Sequence, residues 1–227
     1  MIGAMSERPA YAVTERTRVR RRPIRASYDV AVVHGILDAG LVCQLGVVQD
    51  GRPSIIPTAY VRVDDAIVVH GSTKNRTLLA LAAGAEVCCT VTHLDGLVLA
   101  RSAFHHSVNY RSVVLYGRAC AVEAEDEKER LLRAFFAHVY PGRWDIVRPP
   151  SAAELRATLV VRIPITEVSA KLRSGPPIDD EEDYALPVWA GVAPLDQRMG
   201  PMVPDERMHA GVDPEHAPTV ALFGGRS

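Results

Sequence analysis

One short polar loop concentrates the residue types that bind phosphate groups. It consists of His70, Gly71, Ser72, Thr73, Lys74, Asn75 and Arg76, and a helix is predicted to begin where it ends. The first turn of a helix offers unpaired N–H groups and the positive end of the helix dipole. Two hydroxyls, an amide and two cations add the charge and the donors that a phosphate requires. The pattern predicts an anion site, although a solvated helix start has the same composition.

The segments before this loop predict consecutive strands. Apolar runs over 41–49, 53–63 and 66–70 are separated by Asp50-Gly51 and Asp64-Asp65, which are turn signals. Strands that are joined through such short turns pair in the antiparallel sense. The loop is therefore expected to follow the third strand of a meander.

Further periodic segments complete the predicted elements. Ser27 is the expected N-cap of a helix over 28–39, because apolar residues recur there at helical spacing. Asp95-Gly96 is the expected turn between two strands. The other predicted elements are helices over 75–83 and 126–139, a capped turn at 151–154, and strands over 85–93, 97–102, 109–123, 159–163 and 168–172. Many strands in hairpin order with few helices predict a mainly β chain, a small antiparallel barrel with peripheral helices.

The chain is expected to form one folded domain between two irregular ends. Residues 1–25 carry a cluster of arginines without interleaved aromatic residues, which predicts a flexible, solvated leader rather than a nucleic-acid-binding arm. Residues 26–174 contain the predicted strands and helices. Residues 175–227 are rich in proline and lack a long periodic segment, yet they include Trp189. We expect this extended arm to pack on the barrel or on a neighbouring subunit, because a free tail gains nothing by exposing tryptophan.

Composition argues against several classes of function. The chain has 227 residues, 48% of them hydrophobic, and a formal net charge of -1, so a core can form and no overall charge favours nucleic acid or anionic lipid. No apolar stretch predicts a membrane span or a signal peptide. The four cysteines lie in apolar runs without Cys-x-x-Cys spacing, which predicts reduced thiols in a cytoplasmic protein. The adjacent His105 and His106 point to opposite sides of an extended chain, so no metal site is predicted.

The order of several short motifs resembles one known family. The motifs are Ile56-Pro57-Thr58, Val69 to Arg76, Phe104 to Val113, Gly142-Arg143-Trp144, Ala170 to Pro177 and Val188 to Leu195. Together they are similar to the pyridoxamine 5′-phosphate oxidase-like, FMN-binding split barrels, and most to the flavin-nucleotide-binding branch related to nitroimidazole-reductase-like proteins. The C-terminal Arg-Leu signature of the oxidase itself has no equivalent here, which argues against pyridoxamine phosphate as the substrate.

The resemblance implies an antiparallel, Greek-key-like split β-barrel that forms a homodimer with FMN at the subunit interface. The strand that carries Thr58 and Tyr60 is expected to lie beside the flavin. The loop after the next strand is expected to hold the phosphate through Gly71, Ser72, Thr73, Lys74, Asn75 and Arg76. His70 is the expected proton donor near the flavin ring, because histidine titrates near neutral pH; a strand-end histidine bonded to the backbone is the alternative.

Six further residues are assigned to the cofactor in the same way. They are Ser107, Asn109, Arg111, Lys171, Arg173 and Trp189. The serine and the asparagine suit hydrogen bonds to the flavin ring or its ribityl chain, and Arg111 suits a reduced, anionic flavin. Lys171 and Arg173 precede a Gly-Pro-Pro turn at the cofactor or the interface, and Trp189 is expected to cover the flavin. Each also has an ordinary structural alternative at a strand end, on the surface or in packing.

The implied function is that of an FMN-dependent oxidoreductase, in which electrons from a reduced nicotinamide pass through FMN to a small organic acceptor. Since no Gly-x-Gly-x-x-Gly motif follows a strand, the nicotinamide is expected to bind transiently over the flavin. Two alternatives stay open. One is a non-catalytic flavin carrier or redox sensor. The other is a split barrel that holds a deazaflavin or a haem. A haem needs an axial ligand, and no pattern in the sequence distinguishes among the candidates His70, His93, His105 and His106.

Overall fold

The computed structural model describes residues 9–209 and 211–212, so the ends of the predicted leader and arm, 1–8 and 213–227, lie outside the described residues. The strands are β1 (Ala26–Ser27), β2 (Val42–Gln49), β3 (Arg52–Val63), β4 (Ala66–Ser72), β5 (Glu86–Leu99), β6 (Ser107–Arg118), β7 (Cys120–Ala121), β8 (Thr158–Pro164), β9 (Glu167–Arg173) and β10 (Gly191–Pro194). The α-helices are α1 (Val30–Asp38), α2 (Arg76–Ala82), α3 (Glu125–Val139) and α4 (Ala152–Ala157).

All ten strands belong to one curled antiparallel sheet. Nine of them follow the order β1-β9-β6-β5-β2-β3-β4-β8-β7, and β10 pairs with β5. Strand β3 divides the sheet, because its residues 52–59 pair with β2 whereas its residues 60–63 pair with β4. The mainly β, split-barrel architecture expected from the sequence is therefore confirmed.

Two apolar cores lie on opposite faces of the divided sheet. Inside the barrel, Leu45, Tyr60 and Leu115 belong to one cluster of buried side chains. On the other face, Val68 of β4 packs in a second cluster with Phe135 of α3. Because successive side chains of a strand alternate between faces, the strand residue two positions after Val68, His70, also faces α3.

Helix α1 begins later than the sequence predicts. Asp29, not Ser27, is its N-cap, and the Asp29 carboxylate accepts a hydrogen bond from the Val32 amide at 3.1 Å. Ser27 instead lies in β1 opposite Ala170 of β9. Both side chains can cap a helix, and the pairing of β1 with β9 decides which of them does so.

The predicted turn at Asp95-Gly96 is wrong. Strand β5 runs without interruption from Glu86 to Leu99 and carries only a register shift between Leu94 and Gly96. Arg111 of the neighbouring β6 holds the Asp95 carboxylate at 3.0 and 2.8 Å. A β-carbon on Gly96 would lie 3.0 Å from the Ala193 carbonyl oxygen, so the glycine admits β10 at close range. The Asp-Gly pair thus forms a bulge rather than a turn.

The described part of the leader packs on the barrel. Ala10 forms a bridge with Asp29, and Thr17 is buried. Arg16 forms ion pairs with both Glu86 of β5 and Glu167 of β9. Arg16 is therefore held against the sheet, across β5 and β9.

The described part of the arm also packs on its own barrel. Strand β10 pairs with β5 from Gly191 opposite Leu99 to Pro194 opposite Gly96. Before it, the Asp179 carboxylate accepts hydrogen bonds from the backbone and the guanidinium of Arg101, both at 3.0 Å.

The longest described helix is α3, with 15 residues. None of the helices among the described residues is long and apolar enough to span a membrane. The four cysteines, Cys43, Cys88, Cys89 and Cys120, are free thiols. The predicted strand over 109–123 is two strands, β6 and β7, and the short strands β1 and β10 were not predicted. The other expected boundaries agree with the structure to within a few residues.

Substitution of Gly40 by alanine is expected to destabilise the barrel. The new β-carbon would lie 2.5 Å from the buried hydroxyl of Tyr60 and 3.0 Å from Val91 Cγ1. Overpacking of this kind costs about 1–3 kcal/mol, which urea denaturation would measure. Gly35→Ala is the matched control, because nothing lies within 4 Å of its β-carbon in the middle of α1. It should stabilise the protein by up to about 1 kcal/mol, and equal effects of the two changes would contradict the packing.

Candidate functional site

The polar loop after β4 is built around the start of α2. Asn75 is the N-cap of this seven-residue helix, and its side-chain oxygen accepts hydrogen bonds from the amides of Thr77 and Leu78 at 3.0 and 3.1 Å. A β-carbon on Gly71 would lie 2.8 Å from Leu78 Cδ1, so the absence of a side chain lets the loop approach the helix. Asn75 and Gly71 therefore shape the loop, and the other side chains are left to meet a ligand.

Those other side chains are exposed. Ser72, Thr73, Lys74 and Arg76 are all exposed at the surface. The Ser72 hydroxyl accepts a hydrogen bond from the Lys74 amide at 3.1 Å, which folds the loop into a compact turn. The Arg76 side chain is 81% exposed and lies 3.6 Å from Asp50, and ion pairs this open contribute little. The loop thus presents two hydroxyls and two weakly engaged cations to an anion.

His70 lies at the buried edge of this loop. Its ring contacts the ring of Phe135 edge-on, with 4.5 Å between centroids. Burial lowers the pKa of His70 below its ordinary value, and no charged or hydrogen-bonding group among the described residues offsets this. The imidazole is therefore neutral at neutral pH. A neutral ring is a weaker acid than the proton donor expected from the sequence, but it is the form that coordinates a metal.

Thr58 and Tyr60 occupy β3, as expected, yet the Tyr60 side chain belongs to the barrel core. It is fully buried, and its hydroxyl donates a hydrogen bond to the Leu37 carbonyl oxygen. Burial raises the pKa of its phenol. Only the backbone of Tyr60 is left to face a ligand. Thr58 is half-buried on the same strand, and its carbonyl oxygen accepts from the Cys43 thiol at 3.5 Å.

The second group of predicted residues surrounds the end of β9. Arg173 is only 8% exposed, and its guanidinium donates to the side-chain oxygen of Asn109 and to the carbonyl oxygens of Gly175 and Pro176. The buried Asn109 completes this network by donating to the Gly175 carbonyl oxygen at 3.1 Å. Asn109 is therefore a structural partner of Arg173, and its role at a flavin stays a prediction.

A basic groove opens beside this network. Its volume is about 520 Å³, and its lining residues are Arg21, Arg22, Arg25, Phe104, His105, His106, Ser107, Lys171, Arg173 and Ile178. Ser107, Lys171 and Arg173 were predicted as site residues. The three leader arginines were missed, because a run of arginines without aromatic residues is typical of a solvated segment. Their clustering was the available signal, and the pairing of Ala26 with Lys171 gives it a place in the fold.

Arg111 and Trp189 lie apart from both regions. The charge of Arg111 is compensated by Asp95, whose carboxylate raises the pKa of the guanidinium. It lines a separate cavity with His93 and Leu195. Trp189 is 69% exposed, and its ring lies over Gly191 at the start of β10. Most of the predicted site residues of this chain thus fall into two regions, the loop with His70 and the basic groove. Different residues line these two regions.

Comparison with known proteins agrees with this architecture. The chain matches the family described as pyridoxamine 5′-phosphate oxidase over residues 29–172. It is similar to the structure of the flavocytochrome Anf3 from Azotobacter vinelandii, with 43% identity, a TM-score of 0.85 and coverage of 89% of this chain and 94% of that chain.

A second similar structure is that of the FAD and haem binding protein from Mycobacterium smegmatis. It shows 36% identity and a TM-score of 0.82, and it covers 88% of this chain and 100% of that one. No curated protein matches the chain. With the barrel, the loop and these relatives in agreement, this chain belongs to the pyridoxamine 5′-phosphate oxidase family.

Proposed function

We propose that this protein is a flavin- and haem-binding redox protein that takes electrons from a reduced nicotinamide. The observation that carries the proposal is the position of His70, a half-buried imidazole against Phe135, directly beside an exposed cationic loop. A neutral imidazole can ligate haem iron, and a cationic loop can bind an anionic cofactor. Both features lie at the end of one strand, β4.

The relatives support the choice of cofactors. One is a flavocytochrome and the other binds FAD and haem, and each is similar to this chain over nearly its whole length. FMN, which the sequence motifs favour, stays a prediction, because FAD is the flavin that the second relative carries. When bound, a flavin accepts a hydride and a haem accepts single electrons, so the pair can convert two-electron into one-electron transfer.

The loop fits the phosphate of a flavin. Ser72 and Thr73 offer hydroxyl donors, and Lys74 and Arg76 offer positive charge. Among the described residues, no strong ion pair neutralises these two cations. A phosphate needs both donors and charge, since charge-assisted hydrogen bonds are about twice as strong as neutral ones. Asn75 acts indirectly by holding the first turn of α2 in place.

His70 fits the haem iron better than the other candidates left open by the sequence. The His93 ring is hydrogen-bonded to the Ile36 carbonyl at 2.9 Å, and the His105 ring lies 3.2 Å from the Asp180 carboxylate. His106 is bonded through Nδ1 to the Ser102 carbonyl and lies exposed in the basic groove. A hydrogen bond through one ring nitrogen leaves the other nitrogen free to bind iron, so these contacts alone do not exclude the three histidines. His70 is favoured because its ring lies against Phe135 beside an apolar core, and apolar surroundings suit a haem.

The protein is further proposed to act as a homodimer. Val48 and Ile55 of the β2–β3 hairpin are 66% and 70% exposed, and Trp189 also lies open. Apolar side chains exposed together on a sheet face are typical of a protein interface. A second copy packed on this face would bring the loop of one subunit near the surface of the other.

The experiment that tests this function is an anaerobic titration of the purified protein with NADH or NADPH, followed by absorbance. We expect the flavin to bleach first and the haem to be reduced afterwards. Admission of a small nitroaromatic acceptor or of oxygen should then restore the oxidised spectrum. A flavin that neither nicotinamide reduces would contradict the enzyme and favour a carrier or a redox sensor.

A further inference from the structure

Arg173 is a buried cation that has no carboxylate partner within the described part of the chain. Its side chain is largely enclosed, and Nε has no hydrogen-bond partner among the described residues. The guanidinium donates only to neutral oxygens, those of Asn109, Gly175 and Pro176. Burial and the nearby charge of Arg25 lower its pKa. A buried charge is costly unless an opposite charge meets it, so the missing partner points to an anion from outside the chain.

Further cations face the same groove. Arg21, Arg22, Arg25 and Lys171 line it together with Arg173. The residues of the described chain that line the groove include no carboxylate; the carboxylates of Asp180 and Asp183 lie at one end, within 4.8 Å of the His105 ring nitrogen. Strand β1 brings the arginines here, because Ala26 pairs with Lys171 on β9. Like charges are gathered at some cost in repulsion, which a polyanion would relieve.

Apolar surface lies at the same groove. Phe104 is 89% exposed and Ile178 is 73% exposed, and both line it. A large aromatic side chain that is open to water beside cations can stack against a planar base. Charge for phosphates together with an exposed aromatic ring is the combination that a nucleotide requires.

We propose that the basic groove binds the adenosine phosphate end of a dinucleotide, with its phosphates on Arg25, Lys171 and Arg173 and its adenine against Phe104. The inference rests on the proposed function in its choice of a dinucleotide. Both FAD and reduced NAD carry this end, so the groove accounts for either one. For FAD, the loop after β4 holds the phosphate nearest the flavin and the groove holds the adenylate half.

The first test uses ADP as the probe on the full-length protein, both as purified and after any bound flavin has been removed. The double variant Arg25→Gln, Lys171→Gln should weaken ADP binding by about tenfold or more, since each of the two substitutions removes a charge-assisted contact with the phosphates. Lys128→Gln is the matched control, because Lys128 lies in α3 outside both regions and the chain has only two other lysines. Equal affinity in the double variant and the control would overturn the proposal, as would a flavin-free protein that does not bind ADP.

Phe104→Ala separates base recognition from charge. It should weaken ADP binding by about five- to a hundredfold but leave the binding of inorganic pyrophosphate unchanged. Because Phe104 is exposed, this variant keeps its fold. Unchanged ADP affinity would remove the adenine from the proposal and contradict it.

Two further titrations identify which dinucleotide binds in the groove. If it is FAD, the double variant loses affinity for FAD but not for FMN; if it is a nicotinamide, it loses affinity for NADPH or NADH and keeps its flavin. Either loss supports the groove, and no loss in either titration overturns it. If the protein carries flavin and haem yet fails the ADP test, only the proposal for the groove is contradicted. If the protein binds ADP in the groove but carries neither flavin nor haem, only the proposed function is contradicted.

Discussion

Replacing His70 by alanine is expected to cost the protein its bound haem. Loss of an outer-shell partner already weakens metal binding by about 10- to 100-fold, so loss of the axial ligand should weaken haem binding by at least about 100-fold. Titration of the protein with haemin, followed at the Soret band, measures this change. Added imidazole should restore part of the spectrum of the variant, because it can occupy the space that the side chain leaves.

The control for this change is His93→Ala, since His93 was an equal candidate from the sequence but lines a separate cavity with Arg111 and Leu195. It should keep the Soret spectrum. A normal Soret band in His70→Ala, together with its loss in His93→Ala, would move the axial ligand to another strand.

The double substitution Lys74→Ala, Arg76→Ala should weaken flavin binding by about 30- to 100-fold. Each cation contributes a charge-assisted hydrogen bond to the phosphate. Because both side chains are exposed, each bond is expected to contribute near the lower end of the usual energy range for such bonds. Fluorescence quenching of FMN and of FAD by the protein measures the two dissociation constants. The effect should shrink at high salt, since screening weakens exposed charge pairs.

Trp189→Ala serves as the comparison for the loop. Trp189 lies in the arm over Gly191, and its loss removes cover but no charge, so flavin binding should weaken less than in the double variant. The fold of both variants is checked by urea denaturation. If the double variant binds flavin as tightly as the parent protein, the loop after β4 is not the phosphate site.

Much of this fold could be predicted because hairpin signals are local. Asp50-Gly51 and Asp64-Asp65 are turns in the structure as they are in the sequence, and Ser151 caps α4 in a capping box with Glu154. Each of these signals depends on residues a few positions apart. The adjacency of β2 with β3 and of β3 with β4 followed from them. The pairings of β2 with β5, of β4 with β8 and of β6 with β9 join strands that no local signal connects.

Features that depend on distant contacts escaped prediction. Asp95-Gly96 resembles a turn until Arg111 and β10 are known to meet it. The leader arginines resemble a solvated tail until Arg16 is paired with Glu86 and Glu167. The same limit applies to the site, where Tyr60 lies on the expected strand but faces the core, and Arg173 is distinguished only by its burial.

The division of the site into two regions also bears on the choice of flavin. A loop with two cations suffices for the single phosphate of FMN. The basic groove adds cations and an exposed aromatic ring, which FMN alone would leave unused. The second region is therefore the reason to expect a dinucleotide.

The most direct test of the account is the cofactor content of the full-length protein, produced with ample haem and riboflavin. Its absorption spectrum should show a Soret band together with flavin absorbance, and acid extraction should release a flavin nucleotide. Purified protein that carries neither flavin nor haem, and binds neither when they are added, would contradict the central claim.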